Sequence, residues 1–120
     1  MTTKHTPGPW VRDTGSGFGC DVRAENGRKV AATWGINNGD PHRPAYRAEC
    51  DANARLVAAA PELLEALQKR AQADAAYAQL ALSDVDPDTH ERLLQQIEAA
   101  EDAAKDAARA AIAKAKGEQQ

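Results

Sequence analysis

The chain has 120 residues, a formal net charge of -3 at pH 7, two cysteines, and only one Phe, two Trp and two Tyr. That length allows one modest core; no run approaches the ~20 apolar residues of a membrane span, and residues 1–10 lack the apolar segment of a signal peptide. A reduced bacterial-type cytoplasm is the expected setting.

Charge is uneven along the chain. Residues 1–47 carry seven basic side chains (Lys4, Arg12, Arg23, Arg28, Lys29, Arg43, Arg47) against four acidic ones, and residues 61–120 carry seven against twelve. The front is mildly basic and the rear acidic, which suits an anionic ligand at the front and speaks against nucleic acid gripping the rear. Cys20 and Cys50 stand apart, and with His5, His42 and His90 they show no ligand spacing. No metal site and no cofactor are implied.

In chain order, His5-Thr6-Pro7-Gly8-Pro9-Trp10 places two prolines around a glycine, an extended or turning segment that delivers Trp10 into the fold. Trp10, Val11 and Arg12 open a first strand. After a turn over residues 13–17, residues 18–24 alternate apolar Phe18, Cys20, Val22 and Ala24 with Gly19, Asp21 and Arg23, a second strand. Glu25-Asn26-Gly27 holds the Asn-Gly pair that favours a tight hairpin. Residues 28–34 read as a third strand with Val30, Ala32 and Trp34 on one face and Lys29, Ala31 and Thr33 on the other. Such a meander needs cover, and the helix expected from about Tyr46 supplies it. The intervening residues 35–44, rich in Asn, Gly and Pro, are long for a connection and read as a disordered or binding loop.

The next stretch is Asn53-Ala54-Arg55-Leu56-Val57-Ala58-Ala59-Ala60-Pro61-Glu62-Leu63-Leu64-Glu65-Ala66-Leu67. Leu56, Ala60, Leu63, Leu64 and Leu67 recur at helical spacing, but Pro61 lacks an N–H and clashes inside a helix. The expected solution is a corner: Ala60 extended, Pro61 opening a second helix, and Glu62 in its first turn. Together with His5-Thr6-Pro7-Gly8-Pro9-Trp10, this stretch resembles a group of small proteins of tailed bacteriophages and prophages that carry an HTPGPW-like segment and an NARLIAAAPELLEAL-like helical segment. The likeness covers roughly the first half of the chain, with Val57 where many relatives have Ile. It implies a phage origin, and it carries over no catalytic residue.

The second helix is expected to run over residues 61–82 with Leu64, Leu67, Ala71, Ala75, Ala78 and Leu82 along its buried stripe. Residues 83–87 break it. Asp86-Pro87, or Asp88 with Glu91, caps a last helix on which Leu93, Ile97, Ala100, Ala104, Ala107 and Ala111 alternate at four and three residues, a coiled-coil period. It should end near Gly117, with Lys114 and Lys116 in the last turn. An alanine seam is lean at roughly 25 cal/mol per Å² of buried apolar area, so association of subunits is expected.

These elements make a small α+β protein: a three-stranded antiparallel meander packed on a short helix (residues 1–60), then a long antiparallel helical hairpin (residues 61–117). No nucleophile, base and acid share a recognisable motif, since Ser16 and Ser83 lie in turns and Gly15, Gly17 and Gly19 lack the rest of a phosphate loop. The protein is therefore expected to bind and not to catalyse. Candidate ligand-binding residues are Arg28, Trp34, His42, Arg43, Tyr46 and Arg47, since aromatic faces stack on bases and guanidinium forks pair with phosphates. Trp10, Phe18, Arg12 and Arg23 complete that neighbourhood as core and solvated charge. The expected role is counter-defence or host takeover, by blocking a bacterial immune protein or sequestering a nucleotide signal. The alternative is a nucleic-acid-binding accessory of phage replication.

Overall fold

The computed structural model of the protein describes residues 5–13, 20–34 and 44–118. Three strands, β1 (Trp10–Asp13), β2 (Cys20–Ala24) and β3 (Lys29–Thr33), form an antiparallel sheet in the order β1-β2-β3. Phe18 and the 35–43 segment, with His42 and Arg43, lie outside the described residues.

The β2–β3 turn uses the conformational freedom of Gly27 alone. Gly27 sits at φ 85°, its N–H donates to the Ala24 carbonyl at 2.9 Å, and the Ala24 N–H donates to Arg28 O at 2.9 Å. Asn26 keeps a negative φ and contributes through its side chain, whose Oδ1 accepts from the Arg28 N–H at 3.0 Å.

Register decides which face of β3 is buried. Cys20 opposes Thr33 and Val22 opposes Ala31, after which an irregularity between Val22 and Arg23 leaves Val30 unpaired and brings Lys29 opposite Arg23. Ala31 and Thr33 therefore face inward beside Cys20 and Val22, and Trp34, expected on the buried face, is 61% exposed. Alternation states that every second residue shares a face; pairing with β2 selects which. On the outer face Asp13 lies directly opposite Asp21, a like-charge pair that Arg23 relieves. Its Nε donates to Asp13 at 2.9 Å and its NH2 reaches Asp21 at 3.4 Å, while Lys29 Nζ is 3.3 Å from Asp21.

Helix α1 (Pro44–Ala58) covers the inner face and touches all three strands. Cys50, Ala54 and Ala58, four residues apart, form its buried stripe and join Cys20 and Val22 in the core, with Trp10, Ala31, Tyr46 and Val57 packed at the margin. The Thr33 hydroxyl binds this layer to the sheet, within reach of Cys20 O at 3.1 Å and Cys50 O at 2.9 Å.

The corner falls at Ala59, one residue before the expected position. Ala59 stays in the right-handed helical region (φ -84°, ψ -4°), its N–H donates to Arg55 O and Leu56 O at 3.1 and 3.2 Å, and α2 (Ala60–Leu82) starts immediately. Ala60 is helical and not extended. Pro61 in the first turn gives up an N–H that has no partner to lose there, so no extended residue is needed.

Helices α2 and α3 (Pro87–Lys116) form the antiparallel hairpin. Their buried residues recur every seven: Ala66, Ala73 and Leu80 on α2, Ile97, Ala104 and Ala111 on α3. Ion pairs fix the opposed direction, Lys114 Nζ to Glu62 at 2.7 Å and Arg70 to Glu101 at 3.8 Å. On α3, three of the expected seam residues are buried, Leu93 and Ala107 are half-buried, and Ala100 is exposed. On α2 the expected stripe is on the wrong side: Leu64 is 38% exposed, Leu67 69% and Leu82 89%. Alanines on the α3 side allow the close approach that bulkier leucines would hold apart. The hairpin stretches the molecule to 67 × 26 × 24 Å.

Both ends of α3 are closed as their residue types suggest. Asp86 accepts from the Thr89 N–H at 3.0 Å and from its hydroxyl at 2.6 Å, with Pro87 next. Gly117, at φ 76°, donates to Lys114 O at 3.0 Å and Glu118 donates to Ala113 O at 2.8 Å, the doubled bond of a left-handed helix end. Gly117 is also a contact point, since a Cβ built there would lie 2.7 Å from the Arg55 guanidinium.

Two expectations follow. Gly27→Ala strains the backbone in open space and should cost roughly 1–2 kcal/mol in urea unfolding. Gly117→Ala meets the same strain, and because the Arg55 guanidinium is the far end of a flexible side chain that can swing aside, it should cost about the same, roughly 1–2 kcal/mol. For Asp86, the Thr89 hydroxyl and N–H hold the carboxyl below its ordinary 3.8, so the cap is in place above that value and is lost as pH falls through the lowered one. The amide-proton chemical shift of Thr89 should move over that acid range, and Asp86→Ala should abolish the pH step.

Candidate functional site

Two regions of the head bring chemistry-bearing residues together. The first is the end of the sheet where β3 stops. Trp34 follows the strand, and Asn53 Nδ2 donates to its carbonyl at 2.9 Å, holding the backbone while the ring stays exposed. Tyr46 lies two helical turns before Asn53, on the same face of α1 and about 10 Å away along its axis, half-buried against the core. Arg47 beside it is exposed, and its charge reaches the buried Cys20 thiol. Arg28 is not part of this group: it sits in the β2–β3 turn, a whole strand, on the order of 17 Å, from Trp34. His42 and Arg43 lie outside the described residues.

The second region is a groove of about 600 Å³ where β1, α1, the start of α2 and the end of α3 meet, lined among others by Trp10, Arg12, Arg55, Glu62, Lys114 and Gly117. Its cations are already matched. Arg12 pairs with Asp51, Arg55 NH2 lies 2.9 Å from the same carboxylate, and Lys114 Nζ lies 2.7 Å from Glu62 Oε1. The other carboxylate oxygen, Glu62 Oε2, is buried without a hydrogen-bond partner among the described residues. A groove so balanced offers an acceptor to a donor group and holds little attraction for a phosphate.

Above the groove the His5-to-Trp10 segment is folded down on the corner. The Trp10 indole N–H donates to Thr6 O at 3.1 Å, and the His5 ring meets the Trp10 ring edge-on at 6.1 Å. A Cβ on Gly8 would lie 3.0 Å from Pro61 Cβ, so only glycine brings the backbone this close to the proline ring. The Gly8–Pro9 bond is cis. The N-terminal segment and the corner, more than fifty residues apart in sequence, are thus one contact. Spacing could not reveal it. The only advance signal was that each stretch is unusual on its own.

The buried Cys20 thiol is poorly suited to attack. Burial pushes the Cys20 thiol above its ordinary 9.0, and Cys50 adds to the rise, while Arg12 and Arg47 pull the other way. Among the described residues no three of His, Cys, Asp and Glu converge as metal ligands would. Among the same residues no helix is long and apolar enough to cross a membrane.

No curated protein and no solved structure matches the chain. A family model does, over residues 1–119. By that match, which spans nearly the whole length, the chain belongs to the phage family described as Salmonella phage P22 protein Y8K6.

Proposed function

We propose that this phage-family protein acts in the host bacterial cytoplasm by binding a bacterial protein, in counter-defence or host takeover, and that it performs no catalysis. The observation that carries this is Trp34: a large aromatic ring, 61% exposed, on a backbone fixed by Asn53, with Tyr46 and Arg47 about two turns earlier on the same helix. Trp, Tyr and Arg are the side chains that most often dominate protein interfaces, because a rigid ring covers much area for little lost entropy. The phage origin supplies the setting, and the buried Cys20 thiol, its pKa raised by burial, is no ready nucleophile.

The same geometry favours a protein over a nucleotide or nucleic acid. Arg12, Arg23 and Arg55 all face carboxylates, and a phosphate would have to displace those partners. The helices are net acidic, which repels a polyanion.

The test is affinity capture of the tagged chain from the bacterial host, then titration of the purified captured protein with wild type and Trp34→Ala. Trp34→Ala should leave unfolding within about 0.5 kcal/mol of wild type. It should weaken binding by about 2 kcal/mol, roughly thirtyfold in Kd. Equal affinity would remove Trp34 from the site. A nucleotide-mass adduct in native mass spectrometry would replace protein blocking with sequestration of a signal, and salt-steep DNA binding in a gel shift would support the replication accessory.

A further inference from the structure

Helix α2 is apolar on two opposite sides. The Ala66, Ala73 and Leu80 side packs on α3, and at 100° per residue the series Leu64, Leu67, Ala71, Ala75, Ala78, Leu82 is centred roughly half a turn away, exposed throughout. Helix α3 provides the contrast: the side turned away from its seam carries Glu98, Asp102, Asp106 and Arg109, as a solvated face should. One helix of the hairpin is finished for water, and the other is finished for a neighbour.

We propose that this neighbour is a second copy of the chain, packed antiparallel along the outer face of α2 to make a two-fold symmetric dimer in which the four helices lie side by side, the two α2 helices inside and the two α3 helices outside. Three features single out a second copy. The face reads nearly the same in both directions, large residues at the ends (Leu64 and Leu67, Leu82) and alanines between. Two antiparallel copies centred near residue 73 therefore set Leu64 of one opposite Leu82 of the other, with the alanines meeting at the crossing. Charge agrees: Arg70 and Asp74 lie along one edge of the face, 3.2 Å apart within a chain, and the two-fold brings Arg70 of each copy toward Asp74 of the other, while the opposite edge carries neutral Gln68, Gln72 and Gln79. Extent agrees too. From Leu64 to Leu82 the face runs about 27 Å, room for a contact on the order of 500 Å² per partner, near the lower end of what specific dimers bury. The face is separate from Trp34, so the dimer stands or falls independently of the proposed binding function and would present two copies of the Trp34 site.

Sedimentation velocity of the full chain tests this. Wild type at micromolar concentration should sediment at about twice the 12.8 kDa chain mass. Leu67→Glu should weaken the dimer at least tenfold with unchanged helical circular dichroism, and Ala99→Glu, on the solvated side of α3, should leave it intact. Asp74→Arg should weaken it several-fold and Asp74→Asn less, each with unchanged helical circular dichroism. A monomer at 100 µM, or a dimer indifferent to Leu67→Glu, overturns the proposal. So does a monomer that loses a bacterial protein on Leu67→Glu, which would give the face to a different occupant.

Discussion

Everything distal in this molecule depends on how the chain turns at Ala59 and Pro61. A helix that ran straight on from α1 would carry α2 away along the sheet's own layer; a corner taken without leaving helical geometry sends it out as an arm. The turn is held from outside by Gly8, whose backbone rests on the Pro61 ring, and from below by the buried Ala58 and Ala59. Because α2 leaves at this angle, α3 returns to the head, where Lys114 reaches Glu62 and the Arg55 guanidinium lies against Gly117. The groove beside Trp10 is lined by both of those contacts.

The head itself is economical. Val22 and Cys50 are its largest fully buried side chains, and alanines do most of the remaining packing. Small residues let α1 lie close on the sheet, and the Thr33 hydroxyl, bridging β2 and α1, adds direction that van der Waals contact lacks. The front of the sheet is dressed with the Asp13, Arg23, Asp21 and Lys29 ladder. Arg12 and Arg23, expected as solvated charge, are committed to Asp51 and to that ladder.

Much of the architecture was legible from residue types with local consequences. Gly27 marks the hairpin, Asp86 and Pro87 open α3, and Gly117 closes it, because each acts on its own few residues of backbone. What was illegible depended on partners far away in sequence. For α2, hydrophobicity favoured the leucine-rich stripe, whereas packing used the alanine-rich one; with apolar residues on two sides, periodicity alone has no means to choose. Alternation alone places Trp34 with Val30 and Ala32, and the unpaired Val30 in the register with β2 is what turns that face outward. Of the candidate site, Trp34, Tyr46 and Arg47 share one end of the head, while Arg28 is at the other: nearness along a strand of known length could have been estimated beforehand, but the exposure of Trp34 could not.

The contact between Gly8 and Pro61 is the most direct measure of this account, since it joins the two stretches that orient the rest. In a nuclear Overhauser spectrum of the isotope-labelled chain, the Gly8 Hα protons should show strong cross-peaks to the Pro61 side chain, with the Trp10 indole proton protected by its bond to Thr6. A spectrum with neither, in a chain whose helices are nonetheless intact, would mean that the corner is not clamped and that the arm's direction has some other cause.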